Sequence, residues 1–97
     1  MRIEWLPLAG ATRDSQLDYI AQNSIQAARA VATQIERQTS QLVLFPELGR
    51  AGRQPGTGEL VISRTPLVVV YRVQPAQDRI EIIRVLHTSQ QWPPLSD

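Results

Sequence analysis

The sequence predicts an α+β domain: an N-terminal strand, then an antiparallel pair of helices packed on an antiparallel sheet, in the order β-α-α-β-β-β. Three observations carry this. Ala28, Val31, Ile35 and Leu42 recur at helical steps of three, four and seven. Val68–Val70 and Ile80–Leu86 are dense in β-branched residues and are separated by turn-forming chemistry at Gln74–Asp78. Met1–Leu6 alternates, with Ile3 and Trp5 on one side, until Pro7.

In chain order, Met1–Leu6 is expected to be a short strand that Pro7 stops. A first helix is expected from Thr12 or Arg13 to Asn23, with Thr12 as a candidate N-cap and Leu17, Ile20 and Ala21 at helical spacing. Ser24 is placed to cap a second helix by accepting from a backbone N–H near Ala27. That helix is expected to run from Ile25 to Leu44, about 30 Å, until Pro46 forces the backbone out of helical angles. The helical hairpin thus covers about residues 13–45. Leu48–Gly58, with four glycines and two arginines, reads as an irregular connection. Its spacing is neither that of a P-loop nor that of a dinucleotide fingerprint. Strands are expected at about 59–64, 67–73 and 79–87, the last two forming a hairpin.

The 97 residues are expected to form a single domain, 1–97, with a thin core. There is no cysteine, hence no disulfide framework or thiolate metal site, which suits a reducing cytoplasm. No apolar run reaches the roughly 18–20 residues of a bilayer span, and the N-terminus lacks a signal-peptide plan. Nothing calls for a cofactor, a metal or a membrane partner. All 10 basic residues are arginine, whose planar fork suits carboxylates and phosphates. Codon bias is an equal explanation of that choice. Position says more: Gly49–Gln77 holds Arg50, Arg53, Arg64 and Arg72 against Glu59 alone, which predicts a positive patch short of the charge of a dedicated nucleic-acid binder.

Pairing Val73 with Arg79 in the hairpin puts Val70 opposite Ile82, Val68 opposite Arg84 and Arg72 opposite Ile80. Arg72, Arg84, Val70, Ile82 and Leu86 then share one face, and Val69, Tyr71, Glu81, Ile83 and His87 the other. One face is covered by the helices. After Leu86 there is room for an extended tail or one turn of helix but not for a helix that would fully cover the second, so a partner is expected to cover part of it. His87, the only histidine, is the candidate general acid or base; a strand-end histidine bonded to backbone is the competing reading. Arg84 is its candidate electrostatic partner, although three residues of strand separate them onto opposite faces. Arg50, Arg53, Arg64, Arg72, Arg84 and Trp92 are the candidate residues for binding a partner. For Arg72 and Arg84 the alternative is ion pairing within the chain, to Glu59 or Glu81, and for Trp92 it is core packing.

The stretches Phe45–Arg53, Pro55–Ile62, Pro66–Val73 and Ile83–Pro93 resemble the RelE/ParE superfamily of bacterial toxins from type II toxin–antitoxin modules, and the likeness runs over nearly the whole chain. It implies a small cytoplasmic toxin that inhibits growth and is held inactive in a hetero-oligomer with a cognate antitoxin. RelE-like members cleave messenger RNA on the ribosome, using basic residues with an aromatic or histidine on the sheet and C-terminal segment. ParE-like members, associated with plasmid stabilisation, poison DNA gyrase without a catalytic set. With no lysine, one histidine and no tyrosine in the C-terminal segment, the chain reads as ParE-like and non-enzymatic. A ribosome-dependent endoribonuclease acting on mRNA is the alternative, and a non-toxic binding protein of the same fold the second. Two departures bear on that choice: the family commonly has an arginine where this chain has Gly58, and a large aromatic where it has Leu67.

Overall fold

The structure, a computed structural model, describes residues 1–90, 92 and 93. Strand β1 (Arg2–Trp5) leads into helices α1 (Pro7–Ala21) and α2 (Ile25–Ser40), and strands β2 (Arg50–Ala51), β3 (Gly58–Val61), β4 (Leu67–Gln74) and β5 (Arg79–His87) follow. They form one sheet in the order β1-β5-β4-β3-β2, with the helical pair on one face. The α+β reading holds, with two corrections. The sheet is mixed, because β1 pairs with β5 in parallel. The loop expected to be irregular also contributes β2, two residues long and antiparallel to β3.

Proline fixes φ near the helical value and has no N–H to lose at a helix start. Pro7 therefore opens α1 five residues earlier than expected from Thr12. Thr12 works inside the helix instead: its hydroxyl donates to Leu8 O at 2.8 Å and accepts from Val85 N at 2.9 Å, tying α1 to β5. Ser24 caps α2 as expected, accepting from Ala27 N at 3.1 Å. The helix stops at Ser40 and tightens into a 3-10 turn over Gln41–Val43.

The helical face holds the main core. Ile35 and Leu42 pack against Leu60, Ile62, Leu67, Val69, Tyr71, Ile80, Ile82 and Val85, with Ile3, Trp5, Leu17 and Val31 partly buried around them. A buried polar bond closes one end, where Gln38 Oε1 accepts from Ser63 N at 2.8 Å.

The β4–β5 register differs from expectation twice. A 3-10 turn over Pro75–Gln77 with Asp78 left-handed at φ 52°, a conformation aspartate tolerates, flanks Gln74 with Arg79 instead of pairing Val73 there. The ladder then slips between Val70 and Tyr71, so that Tyr71 faces Ile82, Val70 faces Arg84 and Ile83 is the extra residue of a bulge. Arg72 consequently lies opposite Glu81, Val68 opposite Leu86, and Ile82 belongs to the helical core. Ile83 packs with Val68, Val70, Leu86 and Trp92 on the opposite face. The apolar residues of that second face need no partner for their burial: Val68, Val70 and Leu86 are each at most 1% exposed within the chain itself, while Arg72 on the same face stays partly exposed. Strand β3 ends at Val61, short of the expected 64, and Arg64 sits beyond it in a turn at φ 68°.

Candidate functional site

The face away from the helices gathers most of the arginines. Alternation along β1, β4 and β5 puts Arg2, Arg72, Arg79 and Arg84 there with Glu4 and Glu81. Glu59 on β3 joins them through its pairing with Val70 and brings Arg50 and Arg53. Six arginines thus meet three carboxylates, and the face is net positive.

Two of those carboxylates organise it. Glu59, 1% exposed, accepts from Arg53 Nη2 at 3.0 Å, Arg53 Nε at 3.2 Å, Arg53 N at 2.9 Å and Arg50 Nη2 at 3.2 Å. Burial pushes its carboxyl upward, but the Arg53 and Arg50 bonds prevail and hold it at about 2. Glu81 accepts from Arg72 Nε at 2.6 Å, Arg79 Nη2 at 2.7 Å and Gln74 Nε2 at 3.2 Å. The Arg72 bond, then the Gln74 amide, hold its carboxyl at about 2 as well. Arg79 also reaches Glu4 at 3.4 Å. Both glutamates are saturated with donors, while Arg50, Arg53 and Arg72 keep side chains that are about half exposed. Spare guanidinium donors therefore face solvent.

Arg84 lies opposite Val70, its guanidinium carbon 5.3 Å from the centroid of the Trp92 ring. Its Nε and the Trp92 Nε1 are buried without an acceptor among the described residues. Trp92 is thus a packing residue on this face as well as a candidate contact. Arg64, in its exposed turn, stands apart from both clusters.

His87 is separated from the arginine face. It pairs with Leu67, a residue of the helical core, and therefore points to the helical side, opposite Arg84 and Arg72. Its Nδ1 accepts from Ser89 N at 3.1 Å and lies 2.8 Å from Ser89 Oγ. Its backbone is closed by Gln90, whose Oε1 accepts from His87 N at 2.9 Å and whose N donates to His87 O at 2.9 Å.

Two features escaped sequence reasoning. Arg79 has a role that depends on the register that the turn sets. Tyr71 looks from its spacing like a strand residue alone, yet its hydroxyl donates to Pro46 O at 2.8 Å and accepts from Gly49 N at 3.1 Å, and burial pushes its pKa up. It pins the loop that displays Leu44 and Phe45, 77% and 59% exposed. Its ring also explains Gly58. A Cβ there would come 2.6 Å from Tyr71 Cζ, so no longer side chain fits at position 58 while Tyr71 stays in place. Position 67, on the same face, is buried against the core as leucine.

Among the described residues no cluster of three potential metal ligands is present, and no helix is long and apolar enough to cross a membrane.

The family described as "ParE toxin of type II toxin-antitoxin system, parDE" matches residues 3–92. A curated relative from Sinorhizobium fredii (strain NBRC 101917 / NGR234), named "Putative toxin Y4kP", is 36% identical over 92 residues, 95% of this chain and 93% of the relative. A solved structure described as "Chromosomal ParDE TA system from P. aeruginosa" superposes with a TM-score of 0.77 at 27% identity, covering 90% of this chain and 95% of that one.

Proposed function

The chain belongs to the ParE toxin family of type II toxin–antitoxin systems, and from that premise we propose that it arrests growth by binding DNA gyrase in the cytoplasm and that a cognate antitoxin neutralises it. The observation that carries the target is the separation of His87 from the arginines. Cleavage of RNA by attack of a 2′-hydroxyl needs a proton acceptor within reach of the donors that stabilise the phosphorane. Here the single histidine is on the helical side with Nδ1 engaged by Ser89, and Arg72 and Arg84 are on the other side. A positively charged face with no histidine on it suits inhibition by binding. The spare donors of Arg50, Arg53 and Arg72 suit an acidic surface on the target. The likeness to a ParDE system supports an antitoxin partner.

The test is induction of the wild type and of His87→Ala and His87→Gln, with transcript mapping and a supercoiling assay on purified protein. Both variants are expected to arrest growth like the wild type, with gyrase inhibited and transcripts intact. Codon-phased transcript cleavage that disappears in His87→Ala, with supercoiling unaffected by the wild type, overturns the reading in favour of a ribosome-dependent nuclease.

A further inference from the structure

Apolar side chains at a surface are ordinary when scattered and informative when contiguous. Between α2 and β2 they are contiguous. Leu44, Phe45 and Leu48 are 77%, 59% and 47% exposed, with Val43 exposed before them. Leu44, Phe45 and Leu48 wall an open recess of about 490 Å³ together with Pro46 and Glu47. The core has no call on them, because Leu42 from the same turn already fills that place with no exposed surface.

The loop that carries them is held in shape. Phe45 N donates to Gln41 O at 2.9 Å and Leu48 N to Phe45 O at 3.0 Å, and the buried Tyr71 hydroxyl ties Pro46 O to Gly49 N from beneath. A surface fixed in advance gives up little conformational freedom when it binds. Positive charge adjoins it. Leu48 and Arg50 line one recess of about 340 Å³, with the half-exposed Val61 in its wall, and Arg53 joins Arg50 at Glu59. Glu59 is buried, so what these pairs offer outward is guanidinium; Glu47, exposed on the loop, is the acidic exception.

We infer that the loop of residues 43–48 is the apolar anchor with which the chain seats on gyrase, entering an apolar groove whose flanking carboxylates meet Arg50 and Arg53. The inference rests on the gyrase reading above and adds which surface makes the contact and what chemistry receives it. Large apolar side chains at the centre with arginines beside them match the make-up of binding hot spots. The occupant follows from size and charge. A patch of a few hundred Å² falls short of the roughly 800 Å² that each partner of a stable pair buries, so the arginines beside it must take part. A second copy, docked about a two-fold axis through this patch, sets those arginines close to their own equivalents, whereas an acidic groove pairs them.

The test compares variants of the full chain for binding to purified DNA gyrase by surface plasmon resonance and for inhibition of supercoiling. Leu44→Ser combined with Phe45→Ser is expected to weaken both at least tenfold with thermal melting unchanged, since both side chains are exposed. Tyr19→Ser removes a ring that is 68% exposed on α1 and is expected to leave both unchanged. At the most exposed position of the loop, Leu44→Glu is expected to bind about fivefold or more weaker than Leu44→Arg, because carboxylates flank the groove. Wild-type inhibition by the double variant overturns the anchor and leaves the gyrase reading standing. If that variant has instead lost affinity for the purified product of the reading frame beside its gene, or has lost self-association in sedimentation, the loop belongs to the antitoxin or to a second copy, and the inference is overturned. An equal loss in Tyr19→Ser reduces the effect to general surface hydrophobicity, and Leu44→Arg binding more weakly than Leu44→Glu removes the acidic groove; either result overturns the inference. No binding and no inhibition by the wild type overturns both readings.

Discussion

On the helical side of the sheet Ile35, Leu42, Val69 and Ile82 are held by shape and exclusion of water. On the other side the sheet presents Glu59 and Glu81, each wrapped by two arginines, with Trp92 over Arg84. The first arrangement is apolar and insensitive to pH. The second trades packing for charge-assisted bonds that hold long side chains in fixed positions while leaving their outer donors in water. The helical face therefore supplies most of the cohesion of β4 and β5, and the other, with a smaller apolar cluster at Val68, Val70 and Leu86, carries the charge a partner would meet.

Truncation of the core should separate the faces most sharply. Leu42→Ala, at a residue with no exposed surface, is expected to lose about 2–5 kcal/mol in urea unfolding, with the shape of the stability–pH curve unchanged. Glu59→Gln is expected to cost less, on the order of 1–3 kcal/mol at neutral pH, because Arg50 and Arg53 recover water when their partner weakens. Its signature is in acid. Glu59 and Glu81 are both held at about 2 when folded, below the roughly 4.3 of an unfolded glutamate. Their contribution is thus complete above the unfolded value and lost as pH falls from there toward 2. The wild type should destabilise across that window, and Glu59→Gln with Glu81→Gln should flatten the slope. A double variant with the wild-type slope would show that these pairs do not carry the acid response. The smallest effect on folding is expected at Arg72→Ala, whose side chain is 45% exposed. Gln74 and Arg79 still hold Glu81, so melting should shift less than in Glu59→Gln although Glu81 loses its leading partner, while the proposed inhibition of gyrase should fall in the supercoiling assay. Unchanged inhibition would remove Arg72 from the proposed contact surface.

How well sequence reasoning did follows the same division. Helical steps at Ala28, Ile35 and Leu42 and the β-branched runs marked the apolar side, because burial imposes a period that can be read directly. Ser24 announced its cap for the same local reason. On the charged side the arginines are visible and Glu81 stands with Glu59 among the partners named for Arg72, but the choice between the two is not visible. Which carboxylate Arg72 meets depends on a turn that Asp78 closes in a left-handed conformation and on the bulge at Ile83, and neither leaves a periodic trace. Two-residue β2 is held by pairing with β3 and by Arg50 and Arg53 on Glu59, all of which come from later in the chain or from side chains. Pro7 stops the strand as expected, and its fixed φ also opens α1, a start that a reading from Thr12 places five residues late.

Gly58 and Tyr71 face each other across β3 and β4 so closely that neither position is independent. A lineage that gained an arginine at 58 while keeping the tyrosine would force ring and side chain into the same space and loosen the loop that Tyr71 ties down at Pro46 and Gly49. A smaller residue at 71 must come first, and alone it would already free that loop. The two sites therefore form an epistatic pair: relatives of this chain should carry either a glycine with a tyrosine or a larger residue with a smaller ring partner, and chimaeras that mix the two should fold poorly whichever parent supplies the rest.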